Sequence, residues 1–253
     1  MQAISLDFGA TTDAMLALLE TMPESYRATY DDAARQEHAA IIARRGSQTV
    51  HVERWRSLPD GGALVVVVAD DRPGLMSLIC ASLLRQRLEV RIAQIYTRER
   101  QSEMPEAVDF FWLRASDGKG GFRPVEAHDI ERFTDTLAEM VEAPPLVSVT
   151  EGAVAAVFAP IAARAFFNTR AMRRGEHVLV VEARDYAGLL LTITRTLHAQ
   201  GVVILSSSVH TEGNIARDSF TLGDPSGEAF TPERLASIRQ AVVTAVRAGP
   251  PKP

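Results

Sequence analysis

Cysteine is almost missing: Cys80 is the single thiol among 253 residues. One thiol forms no internal disulfide and no thiolate cluster for zinc or iron–sulfur chemistry, so a reduced cytoplasmic setting is expected. Long apolar runs are also missing. ALVVVVA and GAVAAVFAPIAA are too short to cross a bilayer, and the opening MQAISLDFGATT has neither a basic start nor an apolar h-region. Neither secretion nor a membrane location is expected. Basic charge is in deficit, 27 Lys and Arg against 32 Asp and Glu for a net −5, so the chain repels phosphate backbones and nucleic acid is not an expected partner. The six histidines, His38, His51, His128, His177, His198 and His210, never fall at i, i+4 or in a metal-ligand pattern with carboxylates. No metal or cofactor is expected, and no P-loop or dinucleotide fingerprint occurs. What is present is ordinary for a folded protein: 46% hydrophobic and 23% charged residues, in a length that suits two domains better than one.

Two copies of one pattern organise the chain. ALVVVVADDRPGLMSLICASLLRQRLEVRIAQIYTRE reads apolar strand, Asp-x-x-Gly-Leu turn, amphipathic helix and alternating strand, and HVLVVEARDYAGLLLTITRTLHAQGVVILSSSVHTEG reads the same. A constant offset of 114 residues carries Asp71 onto Asp185, Gly74 onto Gly188, Leu75 onto Leu189 and Thr97 onto Thr211. Both copies resume with an Asp and a β-rich run at Asp109 and Asp218, then close with helices predicted over 125–142 and 231–246. The latter has Thr231 as N-cap, Pro232 at its first position and Glu233 in its first turn.

An extra strand precedes each copy. TVHVERW alternates and reaches the first copy through the turn residues 57–62, and RAFFNT does so for the second, although residues 147–150 are an equal rival. Each unit is then ββαββα, a ferredoxin-like α+β sandwich in which the leading strand fills the slot normally taken from the carboxyl end. The predicted organisation is a helical arm at 1–47, a first domain at 48–145, a linker at 146–162 and a second domain at 163–253. Residues 13–21 carry a short helical pattern, Pro23 interrupts it, and a helix is predicted over 24–45 with Gly46 as its stop. Its Ala39, Ala40, Ile41 and Ile42 are too few for a separate core, so the arm should pack on a repeat, a second subunit or a partner.

With DDRPGL, the tandem repeat, the helical lead-in and RAFFNT in place, both units resemble ACT domains, the small ligand-sensing modules of amino-acid metabolism. The whole most resembles the carboxyl-terminal sensor region of the bifunctional PII uridylyltransferase/uridylyl-removing enzyme family, over about residues 47–246. The resemblance implies glutamine sensing or other amino-acid sensing and does not imply catalysis, because the catalytic domains of that family find no room before residue 48. The lone pair His128-Asp129 is not a phosphohydrolase ligand set. A non-enzymatic regulatory protein that signals to a partner protein is expected. The rivals are a ligand-free interaction scaffold and a regulatory subunit of a separately encoded enzyme. An uncovered sheet edge would also permit a homodimer.

Physical chemistry independently points to the turns. A glycine just before a helix lets a ligand approach the backbone, and the first helical turn offers unpaired amides to a carboxylate. The candidate ligand-binding residues are therefore Asp71, Arg72, Pro73, Gly74 and Leu75 in the first copy and Asp185, Tyr186, Gly188 and Leu189 in the second. Asp71 and Asp185 could take an amino group or only cap the turn. Tyr186-Ala187 departs from the Arg72-Pro73 pattern, and Tyr186 could stack on a ligand or plug its site. Gln94 and Ser208, equivalent by the same offset, could line a ligand or an interface. Cys80, on an apolar helix face, belongs to the core. Ser206 to Ser208 with His210 lack the elbow and acid of a hydrolase. Arg170, Arg173 and Arg174 read as a solvated turn.

Overall fold

A computed structural model describes residues 16, 18, 20–100, 104–143, 162–168 and 177–249. Residues 147–150, nearly all of the 146–162 linker and the arginines at 170, 173 and 174 lie outside the described residues.

The arm is two helices rather than the single one predicted over 24–45. α1 (Glu24–Thr29) stops at Tyr30, whose backbone is extended, and α2 (Asp32–Arg44) restarts on Asp31, whose carboxylate accepts the Ala34 N–H. An aspartate at an N-cap satisfies an amide that the helix itself leaves free, and that local bond outweighs continuing the helix through Tyr30.

The first repeat follows as β1 (Val50–Ser57), β2 (Ala63–Asp70), α3 (Leu75–Arg85), β3 (Leu88–Arg98), β4 (Glu106–Ser116), the short β5 (Phe122–Arg123) and α4 (Ala127–Glu142). The second is β6 (Ala163–Asn168), β7 (His177–Arg184), α5 (Leu189–Ala199), β8 (Val203–Glu212), β9 (Ile215–Gly223) and α6 (Pro232–Ala248). Within each repeat the order is leading strand, first strand, third strand, second strand, all antiparallel. The leading strands β1 and β6 occupy the slots otherwise filled by a final strand, and RAFFN supplies the second of them. Thr231 caps α6 by accepting the Arg234 N–H at 3.2 Å, with Pro232 in the first turn as expected.

The two repeats form one continuous sheet, because β3 pairs with β8 from Ile92 opposite His210 to Tyr96 opposite Ser206. Gln94 lies opposite its own counterpart Ser208, so the pseudo-twofold axis relating the repeats passes between them. Helices α3 to α6 cover one face over two apolar cores, one built on Val65, Val67, Phe111 and Phe133, the other on Leu179, Val181, Phe220 and Ile238. The arm covers the opposite face of the first repeat, where Tyr26 and Ile41 pack on Val66, Val68 and Phe110. With both faces covered, β2 is apolar from Ala63 to Ala69 instead of alternating.

Candidate functional site

The first turn opens on a cleft of about 390 Å³ with walls from both repeats. Gly74 stands at φ 87° and ψ −6° just before α3, a left-handed conformation that glycine alone adopts without steric cost. A Cβ here would also lie 3.2 Å from the His198 ring of α5, so the second repeat seats directly against the bend. The Asp71 N–H is held by the Pro105 carbonyl at 2.8 Å, and the Asp71 carboxylate takes the Thr97 hydroxyl at 2.5 Å. Burial pushes the Asp71 carboxyl up, a shift that the Thr97 bond partly opposes.

Not every amide of the bend is free. Leu75 N–H is taken by the Arg72 carbonyl at 3.0 Å. For Met76 and Ser77 no main-chain or side-chain acceptor is found among the described residues. Ser77, 9% exposed, lines the cleft, and its hydroxyl oxygen is buried without a hydrogen-bond partner. The start of α3 thus gathers two amides, a hydroxyl and the positive end of the helix dipole. Asp71, Glu99 and Asp224 line the same cleft, whereas the Arg72 guanidinium is occupied by the Val141 carbonyl.

The second turn repeats the backbone but not the surroundings. Gly188 is again left-handed at φ 91°, Asp185 N–H is held by Asn214, and Leu189 N–H by Tyr186. Tyr186 packs against the second core. Leu84 stands 3.4 Å from a Cβ built on Gly188, where the first turn has the polar His198. No bond between Asp185 and Thr211 matches that of Asp71 and Thr97 among the described residues.

Of the predicted residues, Asp71, Arg72, Pro73, Gly74 and Leu75 come together in the cleft. Gln94 and Ser208 do not: Gln94 accepts the Tyr30 hydroxyl on the sheet face covered by the arm, and Ser208 is its seam partner. Strand alternation turns them away from the helices, so both lie at the interface between the repeats and outside the cleft. Sequence reasoning missed Ser77, Glu99, His198 and Asp224. His198 had a signal, since the offset of 114 places it opposite Leu84 across the pseudo-twofold. Cys80 is buried in the first core as expected, and burial pushes its thiol up to about 12.

No protein-family profile matches the chain. It is 29% identical over 236 residues to the bifunctional uridylyltransferase/uridylyl-removing enzyme of Phenylobacterium zucineum (strain HLK1), covering 89% of this chain and 24% of that protein. It is 28% identical over 235 residues to the enzyme of the same name from Thiobacillus denitrificans, covering 90% and 26%. The resemblance carried by DDRPGL and the tandem repeat therefore extends along nearly the whole chain, which spans about a quarter of the length of these relatives. Among solved structures, aspartate kinase from Synechocystis aligns with a TM-score of 0.39 at 11% identity, over 75% of this chain and 27% of that one, a likeness too slight to bear on the fold. Among the described residues no helix is long and apolar enough to cross a membrane.

Proposed function

We propose that this chain is a non-enzymatic, amino-acid-sensing regulatory region of the ACT type, with one working cleft, at the first turn. The ligand's carboxylate would bind the Met76 and Ser77 amides and the Ser77 hydroxyl, and its ammonium group would face Asp71, Glu99 and Asp224. The observation that carries this reading is the buried, unpartnered Ser77 Oγ beside free helix amides in the cleft. A buried polar atom with no partner is costly and is relieved by a ligand that supplies one.

Because the walls come from both repeats, a ligand would favour the packing in which α5 closes on the first turn. Arg45, at the end of α2, bridges Asp70 at 2.8 Å and Glu106 at 2.6 Å. Asp70 directly precedes Asp71, so that ion-pair network supports the arm as the element that reports the ligand state to a partner protein.

The test is a thermal-shift panel of common amino acids on the wild type and on Ser77→Leu, which installs the residue that the second repeat carries as Leu191. A neutral amino acid such as glutamine should stabilise the wild type, by about 2.7 kcal/mol at a hundredfold excess over its Kd. Ser77→Leu should abolish the response. Three acidic side chains in the cleft predict that glutamate responds more weakly than glutamine. No response to any amino acid at millimolar concentration would instead favour a ligand-free interaction scaffold, a reading supported by the departure of Tyr186-Ala187 from the Arg72-Pro73 pattern and by the packing of Tyr186 against the second core.

A further inference from the structure

A second cleft lies on the first repeat, away from the turn, where the end of α3 meets the 116–123 hairpin and α4. It measures about 280 Å³ and is lined by four arginines, Arg85, Arg87, Arg123 and Arg132. Gln86, Ser116 and Asp117 complete the lining, so no apolar side chain contributes to it. Two carboxylates oppose the four guanidiniums. Asp129 accepts two bonds from Arg123, at 2.7 and 2.8 Å, and one from Arg132 at 3.1 Å. Asp117 is turned to the main chain, accepting the Lys119 N–H at 2.7 Å and the Gly121 N–H at 2.8 Å. Arg85 and Arg87 have no carboxylate partner among the described residues.

The backbone shows that Arg87 is not an incidental surface residue. It stands at φ 55°, the single non-glycine residue with positive φ among those described. Its counterpart by the 114-residue offset is Gly201, at φ 64°, and the counterpart of Arg85 is Ala199. The fold thus accepts glycine and alanine at these two positions in the second repeat, while the first places guanidiniums at both, at Arg87 against the steric preference of the backbone. The Arg87 guanidinium also presses on the hairpin, where a Cβ on Gly118 would lie 2.7 Å from Nη1.

We propose that this cleft binds a small-molecule oxyanion carrying at least two negative charges, a phosphate or diphosphate group. Arginine presents a planar fork of donors that suits phosphoryl oxygens. A lining without apolar side chains suits the anionic group alone, with any organic remainder left outside. Arg123 and Arg132, held by Asp129, form the fixed wall, and Arg85 and Arg87 supply the uncompensated charge.

The experiment is calorimetric and thermal-shift titration of the full chain with inorganic pyrophosphate, orthophosphate and sulfate at matched ionic strength. Pyrophosphate should bind and raise Tm more than sulfate does. Arg87→Gly should fold with a Tm close to wild type, because glycine suits the left-handed backbone, and should weaken pyrophosphate binding at least tenfold. Arg85→Ala, which leaves the bend untouched, should weaken it as well. Ser77→Leu should leave it unchanged, which separates this cleft from the amino-acid site. Equal responses to sulfate and pyrophosphate, no response at all, or full binding retained in Arg87→Gly and Arg85→Ala would each overturn the proposal.

Discussion

Asp109 and Asp218 are the least expected side chains in the molecule. Each sits within a strand, on the face turned to the helices, at 1% and 2% exposure, between core residues such as Ala107 and Phe111 or Ala216 and Phe220. Burial without a cationic partner pushes the Asp218 carboxyl up to about 7, against a main-chain bond from His210 that lowers it, and holds Asp109 well above the usual range. An acid whose folded pKa exceeds its unfolded one takes up protons on folding. Stability is therefore greatest below the unfolded pKa near 4 and falls as pH rises toward about 7. Asp218→Asn removes that loss. We expect the unfolding free energy of Asp218→Asn relative to wild type, read from denaturation at each pH, to be most favourable at pH 8 and to decline toward pH 4, by a few kcal/mol at most. A free-energy difference independent of pH would show that Asp218 is ionised in the folded protein. The repeat pattern revealed an Asp at equivalent places in the two copies, ahead of an apolar run, but it carried no sign that the carboxyl turns inward or that each strand begins three residues earlier.

Helix ends were more legible than helix interruptions. Thr231, Pro232 and Glu233 mark the start of α6 unambiguously, because capping is a local bond between a side chain and an amide three residues on. The break at Tyr30 and Asp31 has the same local cause but lies inside a continuous polar stretch, where no apolar period changes to reveal it. Its consequence is tertiary: Tyr30 packs on Phe110 with ring centroids 5.0 Å apart, and Tyr26 bonds the His38 ring at 2.8 Å. Asp31→Ala should cost about 1 kcal/mol in chemical denaturation, the usual worth of an N-cap. A cost near zero would mean that packing of the aromatic cluster, and not the cap, sets the break. The leading strands were also partly visible. Alternation and turn residues showed that they exist, while the choice of RAFFN over residues 147–150 rested on pairing with β7.

The seam between β3 and β8 makes two repeats into one molecule. It joins the sheets, brings Cys80 beside Thr194, and sets His198 against Gly74. One cooperative unfolding transition is expected in calorimetry for the wild type. Ser208→Pro, in the middle of the seam, removes an amide from a strand paired on both sides and should split the transition in two. The same substitution should abolish any amino-acid response, because the cleft loses its second wall. A single unshifted transition would show that the helices, and not the sheet, couple the repeats.

Local chemistry was enough to establish the duplicated glycine bend and the ββαββα order of strands and helices, since each depends on neighbours a few residues apart. Which faces meet was settled by folding. Gln94 and Ser208 were recognisable as equivalent from their spacing, but that they face each other on an axis, outside the cleft, depends on which strand edges pair. Ser77, His198 and Asp224 become one cleft for the same reason: contacts between residues far apart in the chain follow from complementary edges and packed faces, which no period in the sequence records.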